Sequence, residues 1–284
     1  YEVMETFGKI EEGFSDPGDS AIWLQSYPYD GTSTWGKGAD KAFDAFIDAS
    51  EHLELYDIET DSEVYKKGIH ILPSIDLEGD PGTVYNKIYR HTAGLLAHNK
   101  FLTFMGGEHS VSAGIIKAFS ERYKELTVLQ LDAHTDLRPE YRGSVHNHAC
   151  AMHKAATMTN LVQVGIRSMD SVEKEYFNRS KCVYAYEVHM EHEWIKKVLN
   201  LIRGDVYITV DMDVFDPSIM PCTGTPEPGG LDWYQVTGLL KEVFSKTRVR
   251  GFDLVEFAPV DGLRSPAFMV AKLYYKMLSY KYYG

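Results

Sequence analysis

The sequence predicts an α/β fold in which helices cover both faces of a mostly parallel β-sheet. Two observations lead to this prediction. Short apolar runs of strand length alternate with longer segments of helical periodicity, and polar clusters directly follow several of the runs. No repeat, low-complexity stretch or linker-like segment divides the 284 residues, of which 44% are apolar. We therefore predict a single three-layer α/β/α domain over residues 1–284.

Seven strands are predicted, with segments of helical pattern between them. The strands are expected at 21–24, 101–105, 128–131, 161–166, 183–186, 206–210 and 249–255. The helical patterns lie at 82–98, 112–123, 192–203 and 233–246. Because a helix between two strands returns the chain to the same edge of the sheet, this alternation favours parallel pairing.

The charge and the cysteine content exclude several classes of partner and site. The chain has 41 acidic and 29 basic residues, a formal net charge of −12, and no Lys/Arg-rich run, so we expect neither nucleic acid nor an anionic membrane as a partner. No apolar stretch has the length of a membrane span, and the first residues do not resemble a secretion signal. Cys150, Cys182 and Cys222 include no CxxC pair, which argues against a cysteine zinc site. We expect a cytoplasmic protein.

Metal-capable side chains follow three of the predicted strands directly. The motifs are GGEHS at 106–110, DAHTD at 132–136 and DMDVFDP at 211–217, and the candidate ligands are His109, Asp132, His134, Asp136, Asp211 and Asp213. Open parallel sheets build their sites at the carboxyl ends of strands, so these groups are expected to share one pocket. Four carboxylates and two imidazoles suit two ions roughly 3.5 to 4 Å apart. Oxygen-rich ligation without thiolate favours Mn²⁺, with Fe²⁺, Co²⁺ and catalytic Zn²⁺ left open.

Each of these motifs also has an ordinary structural interpretation. An isolated DxD or DxH is usually a loop or a helix cap, and a lone His is more often a hydrogen-bonded core residue than a ligand. Three such clusters, each placed after a strand, are harder to explain without a cation, because clustered carboxylates repel one another unless a positive charge neutralises them. The joint pattern therefore favours a two-metal centre.

These motifs, together with His148, TGTPEPGG at 223–230 and DLVEFAP at 253–259, resemble the successive signatures of the ureohydrolase family, the arginases and agmatinases. The resemblance extends from about residue 20 to the C-terminus and is greatest to the agmatinases. It implies an arginase-like α/β domain, two Mn²⁺ per subunit, and hydrolysis of a guanidinium to urea and an amine. It also implies a homo-oligomer, either a trimer or a hexamer.

The resemblance further assigns roles to individual residues. The first ion would be held by His109 and Asp136, the second by His134 and Asp213, and both by Asp132 and Asp211. A guanidinium carbon is a poor electrophile, so its hydrolysis needs water whose pKa is lowered by bound cations. Asp136 would take a proton from that water, and His148 would carry one to the leaving group. Glu256 would clamp the guanidinium, and Thr225 would line the same substrate loop.

The substrate prediction depends on the segment LRPEYRGSVHN, residues 137–147. It resembles the agmatinase version of this loop and lacks the Ser-Gly-Asn segment that holds the α-carboxylate of arginine in arginases. A carboxylate in a pocket without donors loses its hydration uncompensated. We therefore predict agmatine, a small cationic guanidine, cleaved to putrescine and urea. Arg138 and Arg142, interpreted as solvated loop charges, keep guanidinobutyrate as the alternative, followed by arginine.

Other interpretations remain open from the sequence. Glu256 has a structural alternative as an ion-pair partner of Arg250 or Arg264, and His146 and His153 invite a third metal site. A two-metal phosphoesterase would need GDxxD and GNH clusters, which the chain lacks. A non-catalytic metal-binding relative is the alternative outside enzymes.

The sequence departs from the family pattern at two places. Glu108 stands where many relatives have Asp, so the surroundings of His109 are expected to shift by one methylene. The segment from 28 onward keeps a PYDGT opening but lacks the Arg-Gly-Pro sequence common in the family, which leaves open the contacts that this segment makes.

Overall fold

The computed structural model describes residues 6–284, and it contains one eight-stranded sheet in the order β2-β1-β3-β8-β7-β4-β5-β6. Every pairing between neighbouring strands is parallel. The strands are β1 (Ile22–Tyr27), β2 (Ile69–Ile71), β3 (Phe101–Gly106), β4 (Leu126–Leu131), β5 (Asn160–Ile166), β6 (Cys182–Tyr184), β7 (Asp205–Asp211) and β8 (Arg248–Val255). The predicted parallel α/β sheet is confirmed.

Helices form a layer on each face of the sheet, and each layer has its own apolar core. The helices are α1 (Ala42–Ser50), α2 (Pro81–Leu95), α3 (Ser110–Arg122), α4 (His153–Met158), α5 (Ala185–Met190), α6 (Trp194–Leu201), α7 (Trp233–Lys246) and α8 (Arg264–Tyr283). Helices α1 and α5 to α8 contribute to one core, and α2 to α4 contribute to the other. Amphipathic helices on both faces bury strands that are apolar on both sides. The fold therefore has the three layers that the sequence predicts.

The structure adds elements that the sequence did not reveal and shortens one that it predicted. Strand β2 has three residues at the edge of the sheet, too few for a periodic pattern. Helix α8 buries residues around most of its circumference, so its amphipathic signal is weak. The strand predicted at 183–186 ends at Tyr184, because the Glu187 side chain accepts a hydrogen bond from the Tyr184 backbone N–H at 2.7 Å and starts α5.

The sheet order explains how distant motifs meet. Strands β3, β8, β7 and β4 are consecutive neighbours in the middle of the sheet, and all run in the same direction. Their carboxyl ends therefore lie side by side at one edge, where the chain continues directly into the polar motifs. Among the helices in the described part of the chain, none is both long and apolar enough to cross a membrane.

A buried ammonium group ties α8 to the loop before β2. Lys276 pairs with the buried carboxylate of Asp57 at 2.9 Å and also contacts Glu59. Burial opposes ionisation of Asp57, but Lys276 and the Thr60 donors outweigh it and lower the pKa of this carboxyl. Burial likewise opposes ionisation of Glu59, whose pKa falls to about 2 because Lys276 and Lys241 bond to it.

We expect Lys276→Met to lower the free energy of unfolding by about 3 kcal/mol, because Asp57 is left buried without its counter-ion. A carboxyl with a depressed folded-state pKa stabilises the fold above its unfolded pKa and loses that contribution as the pH falls. The difference in stability between the two proteins should therefore begin to shrink below about pH 4 and be smallest near pH 2, where the pKa of Glu59 lies, in urea titrations across pH. Lys241→Met, which removes the exposed partner of Glu59, is the control and should cost less than about 1 kcal/mol. Equal losses in both variants would contradict this account.

Candidate metal centre

Each candidate ligand is placed by the end of a strand. His109 lies in the turn between β3 and α3, Asp132 directly follows β4, and Asp211 is the last residue of β7. The turn after β3 passes close to the backbone of the loop after β1. A Cβ on Gly107 would lie 2.1 Å from the Tyr29 carbonyl oxygen, so only glycine fits there. These short connections bring side chains from three strands to one point.

The candidate ligands form two groups that share one carboxylate. The first contains His109, Asp132 and Asp211, and the second contains Asp132, His134 and Asp213, with the ligand atoms of each group within 4.8 Å of one another. The Nδ1 atom of His109 lies 3.1 Å from Asp132 Oδ2 and 3.4 Å from Asp211 Oδ2. The Nδ1 atom of His134 lies 2.9 Å from Asp213 Oδ2 and 3.7 Å from Asp132 Oδ1. Asp132 therefore presents one oxygen to each group.

Asp136 completes the first group from the side of the cavity. Its Oδ2 atom lies 2.9 Å from His109 Nδ1, and its backbone has a positive φ of 51°. The structure thus brings together all six ligands predicted from the sequence. Asp211 belongs only to the first group in this geometry, so its assignment as a ligand of both ions stays a prediction.

The protein alone does not neutralise this cluster of buried charges. Burial, followed by the nearby Asp213 and Asp136 carboxylates, raises the pKa of Asp132 to about 7. Burial opposes the charge on His134, but Asp213 and Asp132 raise the pKa of its imidazole to about 11. Burial and the same carboxylates raise the pKa of Asp211 well above its ordinary value. Such a donor set is stable in its fully ionised form only when cations share the site.

The orientation of the His109 ring separately tests whether these residues fit a divalent cation. Its Nε2 atom lies 2.9 Å from Thr209 Oγ1, and the Thr209 hydroxyl donates to Asp253 Oδ1 at 2.6 Å. Because that hydroxyl proton is already given to Asp253, Nε2 must be the donor and Nδ1 must carry the lone pair. Nδ1 is buried and has no hydrogen-bond partner within the described residues. A lone pair aimed among three carboxylates fits a divalent cation, and the second group offers the same chemistry.

The candidate substrate residues line the cavity above these ligands. His148, Thr225 and Glu256 form its walls, and its floor is formed by His134, Asp136, Asp211 and Asp213. Glu256 follows β8 with a positive φ of 64°, and its Oε1 atom accepts the His109 backbone N–H at 2.7 Å. The unusual backbone conformation turns the Glu256 carboxylate toward the metal ligands.

Glu256 is not held by an arginine. Arg250 pairs with Asp205 at 2.7 Å, and within the described residues Glu256 forms no ion pair with Arg264. The interpretation of Glu256 as an ion-pair partner of Arg250 or Arg264 is therefore wrong. Burial, and then the Glu108 carboxylate, raises the pKa of Glu256 well above its ordinary value. A cation in the cavity would restore the charge of this carboxylate.

One expectation about the loop between Asp136 and His148, the solvation of Arg138, is not met by the structure. Arg138 lines the cavity, pairs with Asp170 at 3.1 Å and lies 4.5 Å from the Tyr141 ring centroid. Its interpretation as a solvated loop charge is wrong, because a partner 32 residues away in the sequence neutralises it. Arg142 is exposed, as expected.

The histidines near His148 do not assemble into a third metal site in the described part of the chain. His146 packs on the Tyr85 ring with 4.4 Å between centroids. The Nδ1 atom of His153 bonds to the Leu137 carbonyl oxygen at 3.0 Å. Both side chains therefore have structural contacts instead.

Sequence reasoning missed the residues that support the ligands. Thr209 and Asp253 orient His109 from inside the sheet, and Glu227 lies 3.7 Å from the Nε2 atom of His134. The available signal was an Asp inside the apolar run of β8, since a buried carboxylate needs polar partners. Glu227 gave no such signal, because only the fold brings it near His134.

Comparisons with known proteins agree with this geometry. A model of the arginase family matches residues 20–279. An N(1)-aminopropylagmatine ureohydrolase of Synechocystis is 33% identical over 95% of this chain and 92% of that protein. An agmatinase of Bacillus subtilis is 33% identical over 90% of each chain. The crystal structure of an agmatine ureohydrolase of Thermoplasma volcanium superposes with a TM-score of 0.87 at 27% identity, covering 98% of this chain and 95% of that one.

Proposed function

The chain belongs to the arginase family, and from that premise we propose that it is a dimanganese ureohydrolase that cleaves agmatine to putrescine and urea. The observation that carries the proposal is the pair of ligand groups sharing Asp132, directly beneath the cavity that Glu256 faces. Oxygen-rich sites with a minority of imidazole suit Mn²⁺. The similarity to proteins named agmatinase and aminopropylagmatine ureohydrolase supports an agmatinase-type activity.

The charge of the cavity supports a dicationic substrate. Four ligand carboxylates balance two divalent cations, and Asp170 balances Arg138. The carboxylates of Glu173 and Glu256 remain in the lining without a cationic partner in the described part of the chain. Agmatine carries a guanidinium at one end and an ammonium at the other, so its two charges match these two carboxylates. Arginine would add a carboxylate that this cavity repels.

A second candidate is N(1)-aminopropylagmatine, which keeps the same guanidinium on a longer cationic chain. The observation that favours it is the 33% identity to the Synechocystis enzyme of that name. Both candidates require the same chemistry at the guanidinium and differ only at the opposite end of the molecule. Residues that contact the end of the substrate away from the guanidinium therefore determine which of the two compounds is preferred.

Asp136, Glu256 and His148 have separate roles in the proposed reaction. When bound, the two cations lower the pKa of nearby water so that it attacks at neutral pH. Asp136 stands on the cavity floor and takes a proton from the attacking water. Glu256, fixed by the His109 backbone N–H, orients the guanidinium carbon toward the floor. His148 stands on the wall and gives a proton to the departing amine.

We expect His148 and Glu256 to separate kinetically. His148→Asn should lower kcat by about 10²- to 10⁴-fold with little change in KM, because it removes proton transfer. Glu256→Gln should raise KM and lower kcat together, because it removes the charge that holds the guanidinium in both the ground and transition states. Steady-state urea release from agmatine measures both. Wild-type behaviour of Glu256→Gln would return that residue to a structural role.

The direct test of the proposed function is a urea-release assay with the manganese-loaded protein. Agmatine and N(1)-aminopropylagmatine are the two substrates to compare, with putrescine or spermidine identified as the amine product. Urea from neither compound would refute the proposal. Urea from the second alone would move the assignment to the longer substrate.

We also propose an oligomeric state and a cellular location. A homo-oligomer, trimer or hexamer, follows from the family resemblance, and exposed Leu263 and Phe268 beside a groove support contact between copies. A cytoplasmic location follows from the sequence expectation alone. Size-exclusion chromatography with light scattering measures the oligomeric state directly.

A further inference from the structure

Glu108 is fully buried, and hydrogen-bond donors surround its carboxylate. Oε1 accepts from the hydroxyls of Thr32 at 2.5 Å and Ser110 at 2.6 Å. Oε2 accepts from the backbone N–H groups of Thr32 at 2.6 Å and Ser33 at 2.9 Å. The Ser33 hydroxyl also donates to Oε2, at 3.4 Å, so five donors surround this carboxylate and it acts only as an acceptor. The carboxylate therefore holds the loop after β1, and the neighbouring His109 lies with Asp132 and Asp211 in the first ligand group.

Thr32 connects this carboxylate to His148. Its Oγ1 atom accepts the backbone N–H of His148 at 2.9 Å and lies 3.2 Å from His148 Nδ1. A hydroxyl has one proton, and the shortest contact, at 2.5 Å, directs that proton to Glu108. The Thr32 oxygen then has only a lone pair to offer Nδ1. The contact is attractive only when Nδ1 carries a proton and donates it.

We propose that Thr32 and Glu108 are positioning residues that hold the imidazole of His148 with its proton on Nδ1 and its lone pair on Nε2. The proposal rests on the function proposed above for His148. Within the described residues no protein group bonds to Nε2, and His148 lines the cavity with Asp136 and Glu256. The nitrogen left free is therefore the one that exchanges protons with the reacting groups.

The relay keeps its hydrogen bonds when Nε2 gains or loses a proton. When His148 holds a second proton on Nε2, Nδ1–H still donates to Thr32, whose hydroxyl still donates to the Glu108 carboxylate. The chain of hydrogen bonds therefore holds the ring in place without moving a heavy atom. Rotation of the ring by half a turn, which would place Cδ2 where Nδ1 lies, breaks the contact with Thr32.

The first test compares variants of Thr32. Thr32→Val keeps the shape and removes the hydroxyl, so kcat for agmatine should fall about 10- to 100-fold while KM and Mn²⁺ affinity change less than about twofold. Thr32→Ser restores the hydroxyl and should recover most of kcat. Ser33→Ala is the matched control, because its hydroxyl lies 3.4 Å from the same carboxylate but does not contact His148. Equal activity of Thr32→Val and wild type would overturn the proposal.

The second test does not depend on activity or on any variant. Neutron diffraction from deuterated crystals of the manganese-loaded wild-type protein locates the deuterium on His148. We expect nuclear density on Nδ1, directed at Thr32. Density on Nε2 with none on Nδ1 would overturn the relay even if the enzyme releases urea. Absence of urea release from every guanidine would instead refute the proposed function, while density on Nδ1 would still support the hydrogen-bonded chain.

Discussion

Asp132→Asn is expected to lower kcat for urea release by at least about 10³-fold, the largest loss of any single substitution, because Asp132 is the one carboxylate that reaches both ligand groups. Its two oxygens also accept hydrogen bonds from the His134 backbone N–H at 2.6 Å and the Gln130 side chain at 2.7 Å. An amide at this position places an NH₂ group where a cation or a donor must stand. Measuring the manganese content per chain together with kcat shows whether the activity is lost because manganese is lost.

Asp213→Asn is the matched comparison, because Asp213 belongs to the second group only. We expect it to weaken one manganese site and to leave more residual activity than Asp132→Asn. Asp211→Asn tests the remaining assignment: loss of both ions would support a shared ligand, and loss of one would place Asp211 in the first group alone. Two bound ions and a near-normal rate in Asp132→Asn would show that Asp132 is not the shared ligand.

The second large effect is discrimination between substrates. We expect kcat/KM for agmatine to exceed that for arginine by at least about 10²-fold, because the carboxylate of arginine finds no unpaired cationic side chain in the described lining of the cavity. Among the described residues that line the cavity, Arg138 is the one arginine, and it is already paired with Asp170. Comparable values for the two compounds, or a preference for guanidinobutyrate, would overturn the substrate assignment and leave the metal chemistry standing.

Asp170→Asn provides a direct check of the reason given for this selectivity. The substitution removes the counter-ion of Arg138 and leaves its guanidinium free at the cavity wall. The ratio of kcat/KM for agmatine to kcat/KM for guanidinobutyrate should therefore fall, mainly because the carboxylate of guanidinobutyrate gains a cationic partner. An unchanged ratio would mean that Arg138 does not meet the far end of the substrate.

The sequence predicted those parts of the molecule whose signals are local. Strands β3, β4, β7 and β8 were evident because each apolar run stops at a polar motif, and parallel pairing then places the motifs together. Strand β2 was missed because three residues show no periodicity, and α8 because it is buried on most sides. Both depend on their neighbours in space rather than on their own pattern.

The contacts that support the site could not be predicted from the sequence, because they too depend on neighbours in space. Thr32 meets Glu108 across 76 residues and His148 across 116 residues, so no spacing rule connects them. The pairing of Arg138 with Asp170 is likewise tertiary. The ligands could be predicted because their chemistry is concentrated in short motifs, whereas the groups that orient them are dispersed along the chain.

We propose that two manganese ions held by this cluster are required for guanidine hydrolysis. The most direct measurement strips the protein of metal with a chelator, returns Mn²⁺ in known amounts, and follows urea release from agmatine. We predict no turnover in the metal-free protein, with activity rising on addition of Mn²⁺ and reaching a plateau at two ions per chain. Unchanged turnover in fully metal-free protein would contradict the account.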